Sequence, residues 1–478
     1  MSTHTRFILI GTLWTVPLSL QCGHSEIDVP CGDVPEQVPA PSKQKLEELG
    51  KQVFWDNISD PPRMACVTCH DPSAGWTFKH AQTNKHQVAV TGANPHTTGS
   101  LKPPTNAYAH KTGPFTDCES PPTRLCGGVF WDGRAEGDDK PGGPGATAHV
   151  GDEVFESKKG YDLKALYAGF IGALTDQALN PFPNPVEQNI ARKQVCEHVA
   201  SSKYAPLYAL AWGEPIDCSD AKYGSKGFPA YEISYRRIGM AIAAWESSSE
   251  VNSFSSKRDM ALAAEKDKAF PLVGFTEQEN LGYELFLANC AFCHTDKPLA
   301  DANGPADDGT EPFQLYSDDS YHNIGTPKNP EIPGYPEASP GLAGHTGDPK
   351  HVGAHKTPTL RNVDKRPTPG FVKAYTHNGW FKSLESLVHF YNTSDVDEDP
   401  DKSGATAKSF GITQCKKDMT EAQALAANCW PAPEHTANSA VGIIIGDMGM
   451  SLEEEAALVA YLKTLTDTKT VKPPKPYK

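Results

Sequence analysis

Two pentapeptides with the pattern Cys-x-x-Cys-His, at 66–70 and 290–294, are the residues best suited to do chemistry in this chain. The spacing is typical of c-type haem attachment, in which both thiols bond to the porphyrin and the histidine ligates the iron. A zinc site would normally need four protein ligands, and a thioredoxin-like pair needs no histidine after its second cysteine. The sequence therefore predicts two covalently bound haems. The attachment residues are Cys66, Cys69 and His70 for the first haem, and Cys290, Cys293 and His294 for the second.

The other cysteines need a separate explanation, since the chain has 12 in all. Six of them form pairs that are close in sequence: Cys118 and Cys126, Cys196 and Cys218, and Cys415 and Cys429. Such pairs suit disulfides that staple loops in an oxidising compartment, although spacing alone does not determine their connectivity.

The N-terminus predicts export. Arg6 precedes an apolar stretch over 7–20, which is shorter than the roughly 20 residues that span a bilayer and is typical of a secretory signal peptide. We therefore expect a periplasmic or cell-envelope protein. Cys22 follows the stretch directly, so it could carry a lipid anchor or could be an ordinary cysteine paired with Cys31.

The charge balance excludes one class of partner. With 44 Lys and Arg against 59 Asp and Glu, the net charge is −15, whereas a nucleic-acid binder needs clustered basic residues. An acidic surface gives a weak preference for a basic protein partner. The 40 glycines and 41 prolines exceed their usual share and indicate an ordered chain with long loops.

The elements that must position the two pentapeptides are themselves repeated. Leu49-Gly50 and Phe54 precede the first motif as Leu281-Gly282 and Phe286 precede the second, and each half ends in an alanine-rich amphipathic helix. An internal repeat of this kind predicts two related helical domains. The predicted boundaries are a signal peptide over 1–21, a tether over 22–42, an N-terminal cytochrome c domain over 43–250, a linker over 251–273, a C-terminal cytochrome c domain over 274–470 and a tail over 471–478.

Further motifs indicate a family. After the first haem motif the chain contains, in order, Phe-Trp-Asp-Gly-Arg-Ala at 130–135, Asn-Pro-Val-Glu at 184–187, Thr-Pro-Thr-Leu-Arg-Asn-Val at 357–363, His-Asn-Gly at 377–379 and Phe-Tyr-Asn at 390–392. In these motifs it resembles the bacterial di-haem cytochrome c peroxidases and their MauG-like relatives, over nearly all of the chain after the tether. The resemblance implies a mainly α fold of two cytochrome c-like domains with long loops, each holding one covalent haem. It also implies that peroxide reacts at the first haem and that the second passes electrons.

The same resemblance assigns residues to the peroxide site. Glu187 matches the acid/base group, which would move a proton as the O–O bond breaks, and Gln177 and Pro181 match other positions of that pocket. Trp131 matches the tryptophan that lies between the haems and assists electron transfer. Without the flanking motifs, Glu187 would be interpreted as a solvated carboxylate and Trp131 as a core residue.

The distal ligand of the second haem separates two branches of this family. The ordinary peroxidases place a methionine after the helix that follows the His-x-Gly motif, whereas the MauG-like branch has a tyrosine there. Tyr391 stands at the equivalent position, and the resemblance therefore favours the MauG-like branch. Tyr391 could instead pack within its helix, with Met419, Met448 or Met450 as the ligand.

The first haem shows a departure from the family pattern. Members that need reductive activation carry a distal histidine in the loop before the Pro-Thr pair at 104–105. His96 lies near that position but is displaced by two residues, and His80 and His86 are other loop candidates. We therefore expect an open first haem, with His96 as the alternative iron ligand.

Calcium is a second departure. The resemblance implies a calcium ion between the domains, but Lys102 replaces the expected asparagine, and Val372 and Ala374 replace the expected threonine and proline. Backbone carbonyls could still ligate Ca²⁺, whereas an ammonium group cannot. The residues therefore argue against calcium without excluding it.

Three functions fit these observations. The first is a MauG-type enzyme that uses hydrogen peroxide to oxidise a partner protein, including its tryptophans, by long-range electron transfer through high-valent haem iron. The second is a cytochrome c peroxidase that reduces peroxide to water with electrons from a small cytochrome or copper protein. The third is an electron-transfer cytochrome without catalysis. Glu187 and Gln177 argue against the third, because a closed haem needs no distal acid, and Tyr391 favours the first over the second.

Overall fold

The computed structural model describes residues 40–89, 91–118, 124–138, 143–144, 146–264, 270–296, 314–334, 336–396 and 404–477. The predicted signal peptide, Cys22, Cys31 and nearly all of the predicted tether lie outside these residues. The described residues belong to one unit that begins at Val38, so the domain boundaries near 250 and 274 stay predictions.

Helices provide most of the regular structure, which confirms the predicted fold class. The α-helices before the second haem motif are α1 (Lys43–Trp55), α2 (Cys66–Cys69), α3 (Ala81–His86), α4 (Leu163–Tyr167), α5 (Ala173–Ala178), α6 (Arg192–Ser201), α7 (Ala205–Trp212), α8 (Ala230–Glu246), α9 (Lys257–Ala264) and α10 (Glu277–Asn289). Those that follow it are α11 (Leu342–Thr346), α12 (Leu384–Thr393), α13 (Ala405–Ser409), α14 (Glu421–Ala426) and α15 (Leu452–Lys463). Short 3₁₀-helices occupy Pro72–Ala74, Ala109–Lys111, Asp152–Phe155, Ala168–Phe170 and Pro349–His351.

The strands are two-residue pairs that fasten loops. Antiparallel pairs join β1 (Thr116–Asp117) to β2 (Leu125–Cys126), β3 (Lys222–Tyr223) to β4 (Phe228–Pro229), and β5 (Tyr321–His322) to β6 (His355–Lys356). A parallel pair joins β7 (Thr413–Gln414) to β8 (Cys429–Trp430). Disulfides link Cys118 to Cys126, Cys196 to Cys218 and Cys415 to Cys429, which confirms the three predicted pairs.

The repeated Leu-Gly dipeptide lies at the closest helix contact of each half. α1 packs on α8, and a Cβ atom at Gly50 would overlap the backbone carbonyl of Ala241. α10 packs on α15, and a Cβ atom at Gly282 would overlap the carbonyl of Ala457 in the same way. Glycine weakens a helix by about 1 kcal/mol relative to alanine, but here it lets two helix backbones touch.

Each half has its own apolar core. The first contains Leu46, Val53, Phe54, Trp212 and Trp245, and the second contains Phe286, Phe390, Trp430, Tyr461 and Leu465. Phe54 lies on α1, before the first haem motif, and Phe286 lies on α10, before the second, so burying these side chains also fixes the position of each motif.

The predicted linker contains α9, where Asp259 forms two hydrogen bonds of 2.9 and 2.6 Å with Arg361, and Arg258 bonds to Asp296 at 2.9 Å. These charged side chains are buried and not solvated. The segment 163–178 contains α4, a 3₁₀ turn and α5. Among the described residues, no helix is both long and apolar enough to cross a bilayer.

Candidate haem sites and the cavity between them

The first Cys-x-x-Cys-His motif forms a single helical turn, α2. Its start is stabilised by a hydrogen bond of 3.0 Å from the backbone N–H of Ala65 to Oγ1 of Thr68. Cys66 and Cys69 are unpaired and half-buried, and Nδ1 of His70 lies 3.2 Å from the carbonyl oxygen of Trp76. If Nδ1 donates its proton to that carbonyl, Nε2 is left to ligate a metal.

The second motif repeats this arrangement. Cys290 and Cys293 are also unpaired and half-buried, and Nδ1 of His294 lies 2.8 Å from the carbonyl oxygen of Tyr316. Burial lowers the pKa of His70 to about 4 and also lowers the pKa of His294. Both rings are therefore neutral near pH 7, which is the form that binds iron.

A cavity of about 270 Å³ lies against the second motif. Cys290, Cys293 and His294 line it, and most of its wall is apolar. Two free thiols and an oriented imidazole facing an apolar cavity fit a covalent c-type haem. The matching geometry at Cys66, Cys69 and His70 fits a second one.

Tyr391 lines the same cavity, on α12. Burial raises the pKa of its phenol. Of the three alternative methionines, Met448 also lines the cavity, whereas Met450 is buried in the second core and Met419 packs against that core. The structure thus places two of the four proposed ligands, Tyr391 and Met448, where a second haem would bind.

Glu187 lies near the first motif. Burial raises the pKa of its carboxyl group, although the positive charge of Arg134 opposes the shift. After burial itself, the Glu187 charge contributes to the raised pKa of the Cys69 thiol, about 12. A carboxyl group with a raised pKa beside the haem attachment is suited to hold and release a proton.

The other predicted pocket residues belong to the same stretch of chain. Gln177 lies half-buried near the end of α5, and the carbonyl of Pro181 accepts a hydrogen bond of 3.2 Å from Gln188 N–H. The carbonyl of Glu187 accepts one of 2.7 Å from Ala93 N–H, which holds the loop at 92–97 against this stretch.

The candidate distal histidines lie on the surface. The ring of His96 is exposed, and its backbone N–H donates to Oδ1 of Asn94 at 3.0 Å. His80 and His86 are also exposed. The coordination of the first haem, including the role of His96, stays a prediction.

Trp131 joins the two halves of the chain. It is 7% exposed, its Nε1–H donates to the carbonyl of Lys102 at 2.7 Å, and its own carbonyl accepts from Lys356 N–H at 2.9 Å. Its ring meets the ring of His377 edge-on, with 6.2 Å between centroids. Trp131, in the first half, thus lines the cavity and contacts the His-Asn-Gly motif of the second half.

His377 has partners that the sequence did not reveal. Its ring stacks on His355 with 3.5 Å between centroids, and its Nε2 bonds to a carboxylate oxygen of Glu434. The His-Asn-Gly motif pointed to His377, but no sequence signal marked His355 or Glu434. Only the folded loops bring these three side chains together.

Comparisons with known proteins agree with this geometry. Residues 44–267 match the family model of the di-haem cytochrome c peroxidases. The methylamine utilization protein MauG of Paracoccus denitrificans (strain Pd 1222) is 27% identical over 452 residues, which is 92% of either chain. The cytochrome-c peroxidase IdrP1 of Pseudomonas sp. (strain SCT) is 26% identical over 370 residues, 75% of either chain.

Solved structures show the same fold. The di-haem peroxidase BthA from Burkholderia thailandensis E264 matches with a TM-score of 0.60 and 23% identity, covering 92% of this chain and 90% of that one. A MauG-like protein associated with microbial copper homeostasis matches with a TM-score of 0.55 and 20% identity, covering 94% of this chain and 99% of that one.

Proposed function

Because this chain belongs to the di-haem cytochrome c peroxidase family, we propose that it is a MauG-type oxidoreductase, which uses hydrogen peroxide to oxidise a partner protein. The observation that carries the proposal is the phenol of Tyr391 in the cavity beside Cys290, Cys293 and His294. When bound, the haems supply two iron centres that take up the oxidising equivalents of peroxide, and a phenolate ligand favours oxidised iron.

The protein itself contributes proton transfer and a route between its halves. Burial raises the pKa of Glu187, which favours its protonated form, and in this proposal Glu187 gives that proton to the departing oxygen of peroxide. Trp131 provides an aromatic contact between the halves through His377. A protein substrate then reacts at the surface and does not have to enter the cavity.

Met448 supports a second candidate function. A thioether ligand stabilises reduced iron, and Met448 lines the same cavity as Tyr391. With Met448 as ligand, the chain would act as a cytochrome c peroxidase that takes electrons from a small cytochrome or copper protein. The peroxidase IdrP1 is 26% identical to this chain over 75% of its length, and MauG is 27% identical over 92% of it.

Peroxide addition to the fully oxidised protein distinguishes the two functions. For the MauG type we expect a near-infrared charge-resonance band, which arises when two haems share oxidising equivalents. For the peroxidase we expect no such band and rapid oxidation of a reduced small cytochrome. Absence of the band together with rapid cytochrome turnover would contradict the MauG-type proposal.

We also propose that the protein is exported to the periplasm or cell envelope, from its N-terminal sequence. Fractionation and the mass of the mature N-terminus test this. A lipid-modified Cys22 would place the enzyme at a membrane surface, whereas an unmodified Cys22 would leave it soluble after cleavage.

The proposed partner is a protein with a basic face, because the net charge of this chain is −15. Candidate partners are incubated with enzyme and peroxide, and oxidised tryptophans are sought by mass spectrometry. Modification that requires both enzyme and peroxide supports the proposal.

A further inference from the structure

Two lysine side chains lie where the halves of the chain meet. Lys373 is 3% exposed, and its Nζ donates to the carbonyl oxygens of Asn362 at 2.8 Å and Lys365 at 3.2 Å. Lys102 is half-buried, and its Nζ lies 3.4 Å from the carbonyl oxygen of Pro103. Both residues line the cavity that also contacts Trp131.

Each lysine lies close to residues of both halves. Gly75 follows the first haem motif by five residues, and a Cβ atom built on it would lie 2.9 Å from Nζ of Lys373, which belongs to the second half. Lys102 belongs to the first half, but its N–H donates to the carbonyl of His377 at 2.7 Å. Its own carbonyl accepts from Trp131. The two ammonium groups therefore lie between the haem motifs.

Neither ammonium group has a carboxylate of the described chain within ion-pair distance. Burial lowers the pKa of Lys102 to about 8 and lowers that of Lys373 well below its usual value, and the positive charge of Lys102 lowers the pKa of Lys373 further. An uncompensated buried charge is costly. The propionate carboxylates that a haem brings are the acidic groups that such a pair requires.

The residues do not fit the calcium ion that the family resemblance implies. Ca²⁺ takes six to eight oxygen ligands, yet position 102 offers an ammonium group and positions 372 and 374 offer apolar side chains. The carbonyl of Val372 already accepts a hydrogen bond of 3.1 Å from Nδ2 of Asn84. Two ammonium groups beside these positions would also repel a dication.

We propose that Lys102 and Lys373 replace a divalent cation between the two haem sites, so that this protein has a lysine-based cationic centre there and binds no calcium. The proposal concerns only the charge between the haems. It therefore holds whether the enzyme oxidises a partner protein or takes electrons from a small cytochrome or copper protein.

Metal analysis of the wild-type holoprotein is the first test. Protein purified in calcium-containing buffer, desalted and then treated with EGTA is measured for metal content, haem absorption and melting temperature. We expect no stoichiometric calcium before EGTA and no change in spectrum or melting temperature after it. One calcium ion per chain, whose removal changes the haem spectrum, would overturn the proposal.

Substitution of the lysines is the second test, with haem reduction potentials as the readout. A nearby positive charge favours the less positive, reduced iron, so Lys373→Met and Lys102→Met should each lower the potential of at least one haem. Lys373→Arg keeps the charge and should retain the wild-type potential.

Lys365→Met is the matched control. Its Nζ donates to the carbonyls of Asp467 and Lys469 at 3.1 and 3.0 Å, outside the cavity lining, so its loss should leave both potentials unchanged. If Lys373→Met fails to fold, the half-buried Lys102→Met variant carries the measurement. Unchanged potentials in a folded Lys102→Met variant with full haem content would refute the cationic centre.

Discussion

Glu187 is the residue whose replacement tests the peroxide chemistry most directly. Glu187→Gln keeps the size of the side chain but removes its acidic proton. Since positioned acid/base groups contribute about 10²–10⁴-fold, we expect the rate of reaction with peroxide to fall by a factor in that range. Stopped-flow absorption of the oxidised protein mixed with peroxide measures this rate.

Glu421 provides the control for this substitution. Burial also raises the pKa of its carboxyl group, but it lies in the second half and bonds to Ser386. Glu421→Gln should leave the peroxide rate close to that of the wild type. Equal rates in the wild type and Glu187→Gln would show that another group moves the proton.

The ligand of the second haem is the other question at the scale of single residues. Tyr391→Phe removes the phenol oxygen, so we expect it to change the absorption spectrum and potential of the second haem. Met448→Leu should leave both unchanged. The reverse pattern would assign Met448 as the ligand and would favour the peroxidase function.

Single residues also show which features the sequence could predict and which it could not. The haem attachment residues follow from a local pattern, because the thiols and the histidine must lie within one helical turn. Glu434 has no such pattern, since it reaches His377 from 57 residues away. Lys373 likewise becomes notable only when the fold brings its Nζ beside Gly75.

At the scale of elements, glycines and charges were both ambiguous in the sequence. Gly50 is unfavourable within a helix, and the sequence identified it only as part of a repeat with Gly282. The structure shows that both glycines allow close helix packing. The sequence alone did not reveal the buried ion pairs of α9, because their partners Asp296 and Arg361 lie 38 and 102 residues away.

The junction of α1 and α6 makes folding stability depend on pH. Asp56, directly after α1, accepts hydrogen bonds from Nε2 of His198 at 2.9 Å and from the hydroxyl of Tyr204 at 2.6 Å. The hydrogen bond to Asp56 raises the pKa of His198, so its stabilisation is complete below about pH 6.5 and is lost as pH rises through the raised value.

Asp56 makes the stability of the same junction fall at acid pH. Burial alone would raise its pKa, but the hydrogen bonds from His198 and Tyr204 outweigh burial and lower it. Its stabilisation is therefore complete above about pH 3.8 and is lost as pH falls through the lowered value. The junction therefore contributes most to folding stability between about pH 3.8 and pH 6.5.

Asp56→Asn should lower the free energy of unfolding by about 1 kcal/mol at pH 5, a value reduced for partial exposure. The difference from the wild type should shrink as pH rises above 7. Chemical denaturation at several pH values measures it. Asp220→Asn is the control. It removes the exposed partner of Lys193, a residue of α6 like His198, and it should show no such pH dependence. A difference that stays constant from pH 5 to 8 would contradict this assignment.

At the scale of the whole molecule, the sequence predicted two similar halves but not how they are joined. Each half has a repeated motif, a Leu-Gly helix and its own core, all of which are local or periodic features. Contacts between individual residues connect the halves. Examples are the isolated β-bridge between Cys126 and Ser320 and the hydrogen bond from the Lys356 N–H to the Trp131 carbonyl. Such contacts have no period and no fixed spacing, so they emerge only from the folded chain.

Trp131 is therefore the residue that tests whether the halves work as one enzyme. Trp131→Phe keeps an aromatic ring but removes the hydrogen bond to the Lys102 carbonyl and reduces the ring contact with His377. We expect the first haem to react with peroxide at close to the wild-type rate, while the second haem changes its oxidation state several-fold more slowly. Trp380 is the matched control, since it is 1% exposed and its Nε1–H donates to the Met419 carbonyl at 2.9 Å within the second core. Trp380→Phe should lose stability without slowing the second haem, and equal slowing in both variants would mean that Trp131 acts only through packing.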